Sequence, residues 1–192
     1  MSHIALNIIL FKLGWLACVI SAAKGVPGAG MVAVAAVVAI HLSSARSAQL
    51  SAKLLVSAAA IGLFWESVLA SAGWLDYGAN HGPGVLAPFW IVGMWVLFAT
   101  TLNLSFRWLK GRLAVAALFG AIGGPLAFFG GAKLGAVSFS DPVWTPVVIG
   151  VGWALLMPLM VYLSRYFDGH HHLATGADRQ LVAIPAEVSG ER

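Results

Sequence analysis

Charge is scarce in this chain. Only 9% of its 192 residues are Asp, Glu, Lys or Arg, whereas an ordinary soluble domain carries about a quarter. A water-soluble fold of this length could not cover its surface with so few charges, which argues against a soluble enzyme or binding module. A lone cysteine, Cys18, rules out an internal disulfide and reads as a small buried apolar residue. The alternation of polar and apolar residues that a membrane barrel wall needs is also missing, which leaves helices as the spanning form. What the sequence has instead is oil: 60% hydrophobic residues and a mean hydropathy of +0.89. Uncharged stretches run from Gly25 to Ala45, Leu113 to Ala132 and Pro142 to Ser164. Each is about the 20 residues needed to cross a bilayer core as a helix.

The expected fold is therefore all-α, a polytopic membrane bundle of six transmembrane helices over roughly residues 4–22, 26–44, 54–73, 86–107, 112–132 and 143–165. Gly25, Pro27 and Gly28 punctuate the first connection and Ser43 to Ser51 the second. Asn80-His81-Gly82-Pro83-Gly84 marks the third, Lys110-Gly111-Arg112 the fourth and Asp141-Pro142 the fifth. Residues 1–167 form the transmembrane domain and residues 168–192 a polar tail, rich in Gly and mixed charge, whose composition predicts disorder. No cleavable signal peptide is expected, because the first apolar run lacks a basic leader and contains Lys12. No tandem repeat is visible.

The net charge of +4 does not point to nucleic acid, since the basic residues are dispersed at helix ends. On the six-span scheme, Arg46, Lys53, Arg107, Lys110, Arg112, Arg165, Arg179 and Arg192 share one side, and only Lys24 and Lys133 lie on the other. The positive-inside bias then predicts both termini in the cytoplasm.

Two charges break the apolar pattern. Lys12 lies in the run Ile4 to Ala22 and Glu66 in the run Leu54 to Ala72. An ionised group near mid-bilayer costs roughly 2.5 to 3.5 kcal/mol on insertion scales, so each needs a partner or water. At 1.5 Å per helical residue, Lys12 falls about 2 Å to the cytoplasmic side of its helix centre and Glu66 about 4 Å to the outer side of its own. A Lys12–Glu66 pair is the sharpest local expectation, with separate snorkelling the alternative. A second polar layer, Asn7, His41 and Asn103, falls about 8 to 10 Å from mid-membrane, with Thr100 and Thr101 one turn deeper. It reads either as interhelical adhesive or as a polar cavity for a headgroup, ion or proton.

The fifth span carries Gly120, Gly124 and Pro125, then Gly131 and Gly135. Small residues four apart let helix backbones approach closely, and a proline removes one ladder bond, so close packing and a hinge are both open readings. A phosphate cradle is not, because the strand and the Gly-Lys-Ser/Thr ending are missing. Trp74, Trp90, Trp108 and Trp144 lie near span ends, as interfacial indoles do, while Trp15, Trp65, Trp95 and Trp153 lie deeper and are expected to pack helices.

No Ser-His-Asp set or paired carboxylates are visible, and only His41 among the histidines lies within a span, which disfavours membrane desaturase chemistry. The tail run His170-His171-His172 lacks a fixed geometry. No metal and no cofactor are expected.

The string Phe98-Ala99-Thr100-Thr101-Leu102-Asn103-Leu104-Ser105-Phe106-Arg107-Trp108-Leu109, followed by Gly120 to Ala136, resembles a family of small bacterial inner-membrane proteins classed as a domain of unknown function. The likeness takes in Asn7, Trp15, Pro88, Trp90, Trp95 and Trp153 and covers about residues 4 to 165. In that family an Asp often stands where this chain has Glu66, and a His often stands where it has Leu104. Its genes often lie near those for relatives of cyclopropane-fatty-acid synthase. The resemblance thus implies a bacterial inner-membrane setting in lipid or fatty-acid metabolism. It implies membrane lipids as partners and a fatty-acid-modifying enzyme as a further one, with homo-oligomers open. The leading functional expectation is a binding, translocating or accessory component. The alternatives are a small proton-coupled transporter or channel using Glu66 and His41, and an integral-membrane lipid-modifying enzyme.

Overall fold

A computed structural model of the protein describes residues 3–78 and 86–168. Its elements in chain order are α1 (His3–Ala23), α2 (Pro27–Ser44), α3 (Ala48–Ser71), β1 (Leu75–Asp76), α4 (Phe89–Leu102), α5 (Leu113–Lys133), β2 (Ser138–Phe139) and α6 (Trp144–Tyr166). Five helices, all but α4, are long and apolar enough to cross a membrane. The expectations for residues 169–192, including His170 to His172, and for Asn80 to Gly84 of the third connection lie outside the described residues.

Helix boundaries follow local chemistry. Pro27 opens α2 at a position where its missing N–H costs nothing. Ser47 caps α3 by accepting from Leu50 N–H at 3.3 Å, so this helix begins several residues before the apolar run that announces it. The expected span 86–107 shortens to the 14 residues of α4. Pro88 fixes its start. At its end Thr101 C=O is taken by Leu104 N–H and Phe106 N–H, which turns the chain into a 3-10 segment, Arg107–Leu109. At 1.5 Å per residue α4 is about 21 Å long, short of the roughly 30 Å of a bilayer core.

That short helix is the centre of the bundle. Nine of its 14 residues are buried, against six of 21 in α1 and five of 21 in α5. It packs against α1, α2, α3 and α6, while α5 packs chiefly on α6. The outward faces are apolar, with Val32 71%, Phe64 71% and Leu155 72% exposed. Such a surface suits lipid and not water.

The connections gather at two ends. At one, β1 and β2 pair antiparallel, Leu75 with Phe139 and Asp76 with Ser138, which ties the third connection to the fifth. Ser140 Oγ donates to Gly73 C=O there, and Thr145 Oγ1 to Trp74 C=O at 3.3 Å. Asp141 Oδ1 accepts from Val143 N–H at 2.8 Å and Trp144 N–H at 2.7 Å at the start of α6. These two N–H groups, Trp144 first, hold its carboxyl below the usual aspartate value. At the other end, the amino-terminal turn of α1, the α2–α3 connection, the α4–α5 connection and the end of α6 surround one cavity.

Candidate functional sites

Glu66 is fully buried, at 0% exposure, and each of its carboxylate oxygens has its own donor. Tyr77 Oη donates to Oε2 at 2.8 Å and Trp95 Nε1 donates to Oε1 at 2.9 Å. Burial, then the neighbouring Glu66 carboxylate, pushes the Tyr77 hydroxyl well above the ordinary tyrosine value, so it stays a donor.

The Lys12–Glu66 pair is not formed. Lys12 is exposed, with Nζ 6.0 Å from the centroid of the Phe11 ring. The buried positions of α1 include Asn7, Gly14, Cys18 and Ser21, one helical stripe, and Lys12 lies off it on the outward face. Depth along a helix sets height but not rotation, and rotation separates these two groups. Among the described residues, no lysine, arginine or histidine lies within ion-pair distance of Glu66.

Around Glu66 lies a cavity of about 90 Å³, several times what one water needs. Half of its described lining is aromatic: Phe11 and Trp15 from α1, Trp90, Trp95 and Phe98 from α4, Phe128 from α5 and Trp153 from α6. Trp95 and Trp153 stack at 4.7 Å between centroids, and Phe98 meets Trp153 edge-on at 5.4 Å. Trp90 meets Tyr77 edge-on at 5.7 Å. Glycines seat these rings. A Cβ at Gly62 would strike the Trp95 side chain, at Gly124 the Trp153 side chain, and at Gly152 the Trp65 side chain. The buried Nε1 atoms of Trp65, Trp90 and Trp153 have no acceptor among the described residues.

The small residues of α5 divide between two tasks. Gly120 and Gly124 form the close approach to α6, where a Cβ at Gly120 would meet the Trp153 carbonyl oxygen. Pro125 sits inside an unbroken α5 and backs onto Gly150. Gly131 lines the aromatic cavity. Gly135 is a helix stop, contrary to its expected place in a packing stripe. Its φ of +85° suits glycine, and Gly135 N–H and Ala136 N–H close onto Ala132 and Gly131 carbonyls, both at 3.0 Å.

The second polar layer is partly assembled. Asn7 Nδ2 donates to Thr100 C=O at 3.3 Å, and Asn7 Oδ1 accepts from Ser105 Oγ at 2.5 Å. Thr100 and Thr101 spend their hydroxyl hydrogens on Leu97 and Phe98 carbonyls of their own helix, at 2.7 and 2.6 Å. Asn103 Oδ1 accepts from Lys110 Nζ at 2.6 Å, and the same ammonium donates to Asp168 Oδ2 at 2.7 Å and Ser164 C=O at 3.4 Å. Arg107 lies 3.5 Å from that carboxylate. Burial pulls the Lys110 ammonium below the ordinary lysine value, and the Asp168 contact opposes the shift.

Asn7, His41 and Asn103 do not bond to one another but line one cavity of about 720 Å³. Its wall also carries His3, Arg46, Arg107, Asp168 and four serines, Ser43, Ser44, Ser47 and Ser51. His41 is 9% exposed, and its Nδ1 has no hydrogen-bond partner among the described residues. Among the described residues the two cavities share no lining residue, which places Glu66 and His41 in separate sites. Among the described residues, no group of three His, Cys, Asp or Glu could hold a metal ion.

Sequence reasoning passed over Tyr77, Ser105, Lys110 and Asp168 as site residues. Tyr77 follows Glu66 by eleven positions across a turn, a spacing with no periodic signature. The serines beside Arg46 were legible only as connection chemistry.

An all-α bundle with five apolar helices of spanning length and a lipid-suited outer face is the architecture of a multi-pass membrane protein. The chain belongs to the family described as protein of unknown function DUF2878, which matches residues 4–159. No curated protein and no solved structure matches it.

Proposed function

We propose that this protein binds an amphiphile through an anionic headgroup, as a binding, translocating or accessory component of lipid handling in a bacterial inner membrane. The observation that carries this reading is the 720 Å³ polar cavity, with Arg46, Arg107, His3 and the unpartnered His41 nitrogen in its wall. Its volume lies within the range of about 300 to 1,000 Å³ typical of small-molecule sites. Arginine and imidazole are the groups that recognise phosphate or carboxylate oxygens, whereas the Ser43 and Ser44 hydroxyls already donate to Ile40 C=O of their own helix. Asp168 also faces the cavity, but Lys110 and Arg107 engage its carboxylate.

In this reading the chain crosses the membrane six times, with α4 a short crossing sheathed by its neighbours. The basic cavity and both termini lie on the cytoplasmic side. The clasp of β1 on β2 supports an even number of crossings between the third and fifth connections. A fatty-acid-modifying enzyme that takes its substrate from this protein is the partner class that fits such a role.

Lipid extracted with the purified protein tests the reading. Mass spectrometry of the wild type should find an anionic lipid enriched over its share of the membrane. Arg46→Gln and His41→Ala should each reduce that enrichment at unchanged protein yield. A lipid complement identical to the bulk membrane in all three proteins would refute it.

A further inference from the structure

We infer that the aromatic cavity around Glu66 is a binding site for an alkylammonium group, separate from the anion site proposed above. Three observations combine. The carboxylate is completely buried, and among the described residues it has no cationic partner. Each oxygen receives one neutral donor, from Tyr77 and from Trp95, an arrangement that suits an anion and leaves further lone pairs on both atoms. Ring systems make up half of the described lining, among them Phe11, Trp90, Trp95, Phe98 and Trp153, with aliphatic side chains such as Val19, Ile91 and Met94 between them.

Aromatic faces carry negative potential, and indole is the strongest natural partner for a cation. A metal ion would demand several oxygen ligands, and among the described residues this wall offers only the Glu66 carboxyl group. An ammonium bearing methyl or alkyl groups asks for what is present: apolar contact on most sides and one acidic side chain in the lining. A hydrated cation would be rejected by the greasy wall, and a neutral hydrocarbon would leave the carboxylate without compensation. The cavity of about 90 Å³ admits a small substituted ammonium head and not a whole lipid. The cation can therefore arrive free from water or as the head of a single-chain amphiphile whose tail stays outside.

Equilibrium dialysis of radiolabelled choline against the full-length protein in uncharged detergent tests this, with decyltrimethylammonium as the amphiphilic probe. Saturable binding of either cation is expected, and the uncharged tert-butyl analogue of choline, or decanol for the amphiphile, should compete at least about tenfold more weakly. Binding of choline itself assigns a water-borne ligand, and binding of decyltrimethylammonium alone assigns a lipid-borne one. Glu66→Gln keeps the side-chain shape and should weaken binding about tenfold or more, and Phe98→Leu by a smaller factor. Should Glu66→Gln fail to fold, the comparison of cation with neutral analogue in the wild type still decides. Neutral analogues that compete as well as the cations, binding unchanged in a folded Glu66→Gln protein, or no binding of either cation would overturn the assignment. None of these outcomes bears on anionic-lipid retention by Arg46 and His41 variants.

Discussion

Tyr77, from the connection after β1, places its hydroxyl 2.8 Å from Glu66 Oε2, so a loop residue supplies one of the two donors that reach a carboxylate on α3. Removing a donor from a buried acceptor costs about 1 to 3 kcal/mol, more when the acceptor is charged. Tyr77→Phe should therefore lower the unfolding midpoint in detergent by at least that equivalent. Combining it with Glu66→Leu should cost less than the sum of the two single changes. Strict additivity in that double-mutant cycle would show that the two residues are not coupled.

The glycine seats make a second prediction. Gly120→Ala pushes a methyl group against the Trp153 backbone and Gly152→Ala against the Trp65 ring. Overpacking of this kind costs about 1 to 3 kcal/mol. Gly123→Ala, whose new Cβ would find the Phe119 ring at 3.9 Å, should be tolerated. Thermal stability by size-exclusion chromatography after heating ranks the three, and equal midpoints would contradict the close approach of α5 to α6.

Lys110 joins Asn103, Asp168 and Ser164 across three segments of the chain. Lys110→Met keeps much of the stem and removes the charge, leaving the Asp168 carboxylate with Arg107 as its neighbour. A loss of about 1 to 3 kcal/mol is expected, accompanied by faster proteolysis after the end of α6. Unchanged proteolysis at wild-type stability would contradict this bridging role.

Asp141 should confer sensitivity to acid. Its folded-state value is depressed by the Trp144 and Val143 N–H groups, so its contribution is full above the ordinary aspartate value, near pH 4. That contribution disappears as pH falls through the lower folded value. Asp141→Asn should thus be less stable than the wild type at neutral pH, with the difference shrinking below about pH 4. A gap that widens in acid would reverse the sign of the argument.

Topology can be read with single reporters, because Cys18 is 0% exposed and should stay silent toward maleimides. On the proposed topology Ser138→Cys, in β2, should label from outside the cell membrane, and Ser44→Cys, at the basic end, only after the membrane is opened. Labelling of both from one side would refute six crossings.

The bundle was legible in composition because a bilayer selects long uncharged runs whatever their partners. The helix limits of α1, α2 and α6 fall within a few residues of the expected ones for that reason. The truncation of α4 was not legible: the polar string Thr100 to Ser105 is short enough to sit inside an apolar helix by composition, and the partner that meets Thr100 C=O and the Ser105 hydroxyl is Asn7 of α1, brought there by folding. Glu66 stood out as a buried charge. Its actual neighbours did not, since hydropathy carries no record of which way a helix is rotated, and Lys12 turned out to face outward. Trp95, expected as packing, serves both as packing and as the carboxylate's donor.

The stacked indoles of Trp95 and Trp153 have an optical consequence. Two chromophores 4.7 Å apart in a fixed orientation share their electronic transitions, which should give the native protein an exciton couplet in circular dichroism. Because one of these indoles holds the Glu66 carboxylate and both wall its cavity, that spectral band is a label-free gauge of whether the buried site is intact or has a guest inside it.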